Sequence, residues 1–159
     1  MASGISSLHV HDIPTDVAEA GQIATIVLQN QETNNLVAVG EVLVSHSTPE
    51  ILQMTIQFVF MSRIRSHLLK VGSTPIIYIG SARTEARISN IISKENTRNP
   101  SSVIYGSELQ NGDAASIVIY PIMPIYAEVW TEENKSKFGR VLFIDNNEVI
   151  GVGKVTSIN

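Results

Sequence analysis

The amino-acid sequence predicts an all-β protein, on the evidence of its hydrophobic repeat, its residue preferences and its turns. Apolar residues recur at every second position in most segments, which is the repeat of a β-strand and not of an α-helix. β-Branched residues crowd these segments and favour strands. Pairs such as Asn34-Asn35 and Asn146-Asn147 lie between apolar runs, where Asn commonly forms tight turns. Many short strands at roughly even spacing are typical of β-barrels or a β-sandwich.

Each strand is predicted from an apolar run that ends at turn residues. The segment Lys94–Ser107 is the longest polar interruption, and we expect an exposed loop there. Gly21 and Gly112 fall in turns that suit a positive φ. The predicted strands are Ile5–Val10, Ile23–Gln29, Leu36–Val44, Ile51–Met61, Pro75–Gly80, Glu85–Ser93, Ala114–Tyr120, Ile125–Trp130, Arg140–Asp145 and Val149–Ile158.

Composition indicates a folded protein. Hydrophobic residues make up 43% and charged residues 16% of the 159 residues, which is enough apolar side chain for a core. The apolar runs are too short for a membrane-spanning helix, and the first residues lack the pattern of a secretory signal. With no cysteine, the chain has neither disulfides nor thiolate metal sites. We therefore expect a cytoplasmic protein with neither a membrane nor a DNA partner.

Two domains are predicted, with a junction near residue 49. Pro49 cannot donate a hydrogen bond to a sheet, and the charge composition changes soon after it. Residues 1–48 offer only three predicted strands, too few for a closed barrel, so this domain is expected to be partial. Residues 49–159 form the second and larger domain.

The charges are unevenly placed along the chain, although their sum is only −4. Residues 1–62 contain no Lys or Arg, whereas residues 63–98 are rich in both. This basic stretch either contacts phosphate or an acidic partner, or its side chains simply alternate outward from strands into solvent. Its candidate partner-binding residues are Arg63, Arg65, Arg83 and Arg87.

Motifs for catalysis or cofactor binding are not evident. A phosphate-binding loop needs a Gly-rich turn that ends in Gly-Lys-Ser or Gly-Lys-Thr, and the single Gly-Lys pair, Gly153-Lys154, lies in a predicted strand. His9 and His11 are two apart in a predicted strand and so share a face, but two ligands do not complete a metal site. We predict no catalytic, cofactor-binding or metal-binding residue in this chain.

From Leu109 onward, several short motifs follow one another in a characteristic order. A Gly-Asp-Ala turn opens a strand, Pro-x-x-x-Glu follows, a Gly-Arg pair begins the next strand, and an Asp turn leads into a Gly-x-Gly strand. The residues that carry this order are Gly112, Asp113, Ala114, Pro124, Glu128, Gly139, Arg140, Asp145, Gly151 and Gly153. The order resembles the last barrel of the elongation factor 1-alpha class of translational GTPases. The front of the chain, through Ser7, His11, Ala18 and Gly21, resembles the end of that class's second domain.

The resemblance implies a β-barrel like the C-terminal barrel of EF-Tu, with about six or seven antiparallel strands, preceded by part of a second-domain barrel. It also implies that GTP with magnesium binds only in an N-terminal domain that precedes this chain. Arg140 either pairs with Glu128 or Asp145 across the sheet or contacts a partner. The matching residues with structural roles are Gly112, Asp113, Gly139, Asp145, Gly151 and Gly153, and the last two leave one strand face open to close approach.

Departures from the family pattern favour a protein partner over tRNA. Members that carry aminoacyl-tRNA are strongly basic, whereas this chain is acidic and has Val39-Gly40 and Ile144-Asp145 where Arg-Gly and Arg-Asp are expected. The related branches, namely the release factor GTPase, the Hbs-type rescue GTPase and the Ski adaptor, use the same barrels to hold proteins.

We therefore expect a non-catalytic scaffold in translation termination, ribosome rescue or mRNA surveillance. Its expected partners are the ribosome and a protein of the release factor or Pelota type. The alternative is a part of an elongation factor that delivers aminoacyl-tRNA to the ribosome with GTP. A third interpretation, an unrelated β enzyme or carrier, has no nucleophile, metal site or cofactor loop in its favour.

Overall fold

Two compact units, Met1–Val39 and Gly40–Asn159, make up the computed structural model. The structure describes residues 3–29, 37, 39, 41–44, 50–63, 68–96, 99–104 and 107–159. The predicted junction at residue 49 falls in the stretch 45–49, outside the described residues, and stays a prediction. In the part of the chain that is described, no helix has the length and apolar character needed to span a membrane.

The first unit contains an antiparallel sheet of three strands: β1 (Ile5–Val10), β2 (Ile13–Pro14) and β3 (Ala24–Leu28). The strand order is β2-β1-β3. His11 and Asp12 form the tight turn between β1 and β2, with φ values of 51° and 63°, as a two-residue hairpin loop of this kind demands. His11 therefore lies in a turn and not on a strand face shared with His9, which corrects that prediction.

The second unit is a closed antiparallel barrel of six strands, which confirms the predicted fold class. Its main strands are β4 (Met54–Phe60), β6 (Ile76–Ile79), β7 (Ala82–Asn96), β10 (Asp113–Pro121), β11 (Arg140–Asp145) and β12 (Glu148–Ile158), and its short ones are β5 (Leu69–Lys70), β8 (Asn99–Ile104) and β9 (Glu108–Leu109). Around the ring the order is β10-β4-β12-β11-β6-β7, and β7 pairs with β10 to close it. Strands β5 and β9 form a separate two-stranded sheet.

Three sequence predictions of local structure were wrong. The described residues of Leu36–Val44, namely 37, 39 and 41–44, form no strand. The segment Ile125–Trp130 alternates in burial but joins no ladder, because its backbone donates instead from Glu128 to Phe138 and from Trp130 to Val155. Part of the polar segment Lys94–Ser107 is strand, since β7 continues to Asn96 and β8 pairs back along it.

The edge position of β8 explains why a polar segment can form a strand. Ladder hydrogen bonds join backbone atoms, so polar side chains do not prevent them. β8 lies at the end of the sheet order and pairs only with β7 among the described strands. An edge strand also tolerates Pro100, whose nitrogen has no hydrogen to donate.

The barrel interior is filled by alternate residues of each strand. Met54, Ile56, Phe58 and Phe60 of β4 are fully buried, whereas Gln57 between them is exposed. The rings of Phe58 and Phe143 meet edge to face with centroids 4.5 Å apart. This alternation is what turns the remaining residues of each strand toward the outer surface.

Gly151 and Gly153 of β12 make room for this packing. A Cβ atom on Gly151 would overlap the ring of Phe58 and the carbonyl oxygen of Val59. A Cβ atom on Gly153 would overlap the Cγ2 methyl of Ile56. Because an added methyl has no space at either position, only glycine lets β12 lie this close to β4.

Candidate binding groove on the outer face of the barrel

Outward-facing residues of the barrel line up in a row across five strands. Val152 of β12 lies opposite Val59 of β4 on one side and opposite Leu142 of β11 on the other. The row continues from Val59 to Ala114 of β10 and from Leu142 to Tyr78 of β6. We call these five residues the apolar row. Val152 at its centre is 42% exposed.

A second outward row runs beside the first, two residues further along each strand. Lys154 lies opposite Arg140 of β11 on one side and opposite Gln57 of β4 on the other, and Gln57 lies opposite Ser116 of β10. Two residues of extended chain separate the rows by about 7 Å. We call this second set the polar row. Its two cations are directly opposite each other.

Both rows lie in one groove with a volume of about 890 Å³. The small side chains of Ala114 and Ser116 leave space on the β10 side, while longer side chains stand on the β11 and β6 side. Lys137, in the 3-10 turn Lys137–Gly139 just before β11, also lines the groove. The charged lining residues are Lys94, Glu95, Lys137, Arg140 and Lys154.

Aromatic rings hold two of these cations. The Nζ atom of Lys154 lies 3.4 Å from the ring centroid of Trp130, and the Nζ atom of Lys137 lies 5.1 Å from that of Phe138. The negative face of an aromatic ring attracts a cation at such distances. Within the described residues, neither lysine nor Arg140 forms an ion pair with a carboxylate. Three cations that line the groove therefore have no ion-pair partner among the described residues.

Lys94 has a structural role that the other cations lack. Its Nζ atom donates a hydrogen bond to the backbone oxygen of Glu108 at 2.7 Å and lies 3.9 Å from Oδ2 of Asp113. Asp113 is only 5% exposed, and its Oδ2 atom accepts a hydrogen bond from the backbone nitrogen of Gln110 at 2.8 Å. These contacts join β7 to the turn between β9 and β10.

Glu128 is bound to hydroxyl groups and not to Arg140. The Oη atom of Tyr126 donates to Oε1 of Glu128 at 2.7 Å. Hydrogen bonds from Ser136 and Tyr126 lower the pKa of Glu128. The hydrogen bond between Tyr126 and Glu128 also raises the pKa of Tyr126. In the described part of the chain, Arg140 pairs with neither Glu128 nor Asp145. Contact between Arg140 and a partner stays a prediction.

The candidate partner-binding arginines that the structure describes lie on different elements. Arg63 is exposed after β4, and Arg83 and Arg87 are exposed on β7, where they lie opposite Tyr78 and Tyr120. Arg65 lies outside the described residues. Of the described candidates, Arg140 alone lines the groove.

Lys137 and Lys154 were not predicted from the sequence as binding residues. The outward direction of Lys154 can be predicted from the sequence, because side chains alternate along β12 and Gly151 and Gly153 face inward. The Asn146-Asn147 loop places Asp145 opposite Glu148, but a one-residue register shift between Phe143 and Ile144 is also needed to bring Arg140 opposite Lys154, and no local pattern encodes that shift.

The glycine and aspartate positions of the motif order lie at turns and close contacts. Gly112 has a φ of 96° and its nitrogen donates to the oxygen of Phe60 at 2.9 Å. A Cβ atom on Gly139 would lie 2.7 Å from Cβ of Trp130. Asp145 precedes Asn146 and Asn147, whose φ values of 48° and 62° form the hairpin loop between β11 and β12.

The described residues contain no group of three or more His, Cys, Asp or Glu side chains that could hold a metal ion.

A closed six-stranded barrel of this topology, with the motif order on its strands and turns, defines a class of C-terminal barrel domains. The chain belongs to the family described as GTP-eEF1A C-terminal domain-like, whose sequence model matches residues 53–156. It is thus a C-terminal domain of the kind that translational GTPases contain.

Individual proteins resemble this chain over its whole length or over part of it. Elongation factor 1-alpha of Desulfurococcus mucosus is 25% identical over 163 residues, which cover 99% of this chain and 36% of that protein. Elongation factor 1-alpha of Aeropyrum pernix is 31% identical over 91 residues, or 57% of this chain and 20% of that protein.

Among solved structures, Sup35 complexed with GMPPNP superimposes with a TM-score of 0.79 at 18% identity and covers 98% of this chain. At this identity, the likeness concerns the fold. The chain spans 36% of the Desulfurococcus protein and 37% of the Sup35 chain.

Proposed function

We propose that this chain is a non-catalytic protein-binding module that acts in translation termination, ribosome rescue or mRNA surveillance in the cytoplasm. Its partners are the ribosome and a protein of the release factor or Pelota type. The observation that carries the proposal is the groove of the barrel, in which an apolar row lies beside three cations that have no ion-pair partner among the described residues.

Such a surface suits a protein better than it suits nucleic acid. Val59, Val152 and Leu142 offer apolar area that a partner's side chains can cover, and burial of apolar area is the main source of affinity between proteins. Phosphate binding, by contrast, depends on many Lys and Arg contacts.

A second function, delivery of aminoacyl-tRNA by a larger protein that contains this region, is favoured by two observations. The relatives found by sequence are elongation factors 1-alpha, and Arg83 and Arg87 of the basic stretch are exposed on β7. In that case GTP and magnesium would bind in a preceding domain.

Equilibrium binding distinguishes these functions. Purified chain is titrated with a release factor-type protein, with a Pelota-type protein and with aminoacyl-tRNA, each over a range of salt concentrations. The proposal predicts that one of the two proteins binds and that the tRNA does not. Binding of tRNA alone, with an affinity that falls steeply as salt is raised, would overturn it in favour of the second function.

A further inference from the structure

We propose that the groove binds an acidic segment of a partner protein, with its carboxylates on Lys137, Arg140 and Lys154 and its apolar side chains on Val59, Val152 and Leu142. This inference names the chemistry of the partner segment and, for its biological setting, rests on the proposed function. The occupant is defined by two neighbouring features of the groove: an apolar row and a cationic end.

The arrangement of Arg140 and Lys154 is the first argument. Like charges directly opposite each other on neighbouring antiparallel strands destabilise a sheet. In the described structure, no carboxylate pairs with either side chain. An incoming carboxylate would remove the repulsion and gain two charge-assisted contacts, so the free protein is arranged for an anion.

The position of the cations beside the apolar row is the second argument. The two rows are about 7 Å apart, which is within the reach of two neighbouring side chains of one bound segment. Leu142 and Arg140 are two residues apart on β11, and Val152 and Lys154 are two residues apart on β12. A segment that places an apolar side chain beside a carboxylate can therefore contact both rows at once.

The distribution of charge along the groove is the third argument, and it disfavours a nucleic acid. Glu95 of β7 lies opposite Ala114, which ends the apolar row on the β10 side. Strands β4 and β12 separate this end of the row from β11, which carries Arg140. A continuous phosphate backbone would meet this carboxylate. A protein segment whose acidic residues are confined to one side avoids it. The whole chain has a net charge of −4, so the cationic end is a local feature and not a general one.

A peptide probe tests the chemistry without any assumption about the biological partner. The full chain is titrated with a short fluorescein-labelled peptide rich in Leu and Glu, and binding is measured by fluorescence anisotropy. The matched probes replace Glu by Gln, replace Leu by Ser, or are a single-stranded oligonucleotide of similar length. We expect the Leu and Glu peptide to bind most tightly. Equal binding of the Gln peptide, or tighter binding of the oligonucleotide, would overturn the inference.

Substitutions in the chain locate the binding site. Arg140→Glu and Lys154→Glu should each weaken binding of the Leu and Glu peptide about fivefold, the usual upper effect of one exposed ion pair. Val152→Ser should weaken it through the apolar row. Arg87→Glu is the matched control, because Arg87 is also an exposed strand arginine but does not line the groove. A loss of affinity with Arg87→Glu as large as with Arg140→Glu would place the site elsewhere and overturn the inference.

The single tryptophan supplies an independent signal. Trp130 is the only Trp of the chain, and its ring carries Lys154 at 3.4 Å. A carboxylate that draws Lys154 away should change the emission of Trp130 as peptide is added. No change in emission at saturating peptide would contradict binding at Lys154.

Failure of this inference can be told apart from failure of the proposed function. If a release factor-type or Pelota-type protein binds wild type and the Lys154→Glu variant equally, the groove inference is wrong and the proposed function stands. If neither protein binds but the Leu and Glu peptide binds in the groove, the inference stands and the proposed function is wrong.

Discussion

Arg140 and Lys154 lie directly opposite each other on β11 and β12, and neither is paired with a carboxylate of the described structure. Folding stability alone does not select such an arrangement, since like charges in this position repel. Lys154 is further held over the ring of Trp130, with its Nζ atom 3.4 Å from the ring centroid. The repulsion between the two cations lowers the stability of the fold, whereas the same two cations favour the binding of a carboxylate.

Replacement of Arg140 by glutamate should stabilise the fold. The substitution turns a repulsive cross-strand pair into an attractive one, which is worth about 0.2–1 kcal/mol in the free energy of unfolding. Urea unfolding at low salt measures the change, and added salt should reduce it. In the control Arg87→Glu, which lies opposite Tyr120, the change should stay within about 0.5 kcal/mol. A clear loss of stability in Arg140→Glu alone would show that Arg140 supports the fold.

Replacement of Gly151 by alanine should destabilise the barrel. The new Cβ atom would overlap the ring of Phe58 and the carbonyl of Val59, so a buried ring or a strand must shift. Overpacking of this kind costs about 1–3 kcal/mol. Val152→Ala on the same strand is the control, because Val152 faces outward. Unfolding midpoints for the two variants that coincide would contradict the packing described for β12.

Removal of the carboxylate of Asp113 should also destabilise the barrel. Asp113→Ala leaves the backbone nitrogen of Gln110 without its acceptor and removes the carboxylate near Lys94, at a cost of about 1–3 kcal/mol. Asp113→Asn keeps an oxygen that can accept from Gln110 and should cost less. Thermal unfolding of both variants checks this order. Equal losses would mean that the charge, and not the hydrogen bond, matters at this position.

The contribution of Glu128 to stability should disappear at low pH. Hydrogen bonds from Ser136 and Tyr126 hold the pKa of Glu128 below its ordinary value of 4.5. Because the pKa is lower in the folded state, the stabilisation is complete above pH 4.5 and is lost as the pH falls through the folded pKa.

The variant Glu128→Gln measures this effect. Its difference from wild type in unfolding free energy should be largest near neutral pH and should shrink as the pH falls below 4.5. Tyr126→Phe removes one of the two hydrogen bonds and should reduce the pH dependence without abolishing it. A difference that stays constant with pH would show that the hydrogen bonds do not favour the charged form.

Most strands of the barrel could be predicted from the sequence because their burial alternates. β4, β6, β10, β11 and β12 have one face in a common core, and each shows the period-two repeat of apolar residues. The exceptions share one cause, namely that a strand forms through backbone hydrogen bonds to a neighbouring strand, and an apolar repeat does not show whether such a neighbour is present. Ile125–Trp130 alternates but finds no neighbouring strand to pair with, whereas β8 pairs through its backbone without an apolar repeat.

The groove could not be predicted in the same way. Arg140 was nominated from the motif order, but its neighbours Lys154 and Val152 come from another strand, and their register against β11 includes a one-residue shift between Phe143 and Ile144. The basic stretch was visible in the sequence as an excess of charge, yet Arg83 and Arg87 point outward from β7 and do not line the groove. The excess of basic residues along the chain therefore did not identify the cations of the groove, which come together only through the pairing of strands.

Binding at the groove is measured as the affinity of a release factor-type or Pelota-type protein for wild type and for the double variant Arg140→Glu with Val152→Ser. We expect that one of these proteins binds wild type and that the double variant, still folded by circular dichroism, binds at least about tenfold more weakly. Binding of aminoacyl-tRNA in place of either protein, with no difference between wild type and the double variant, would contradict it.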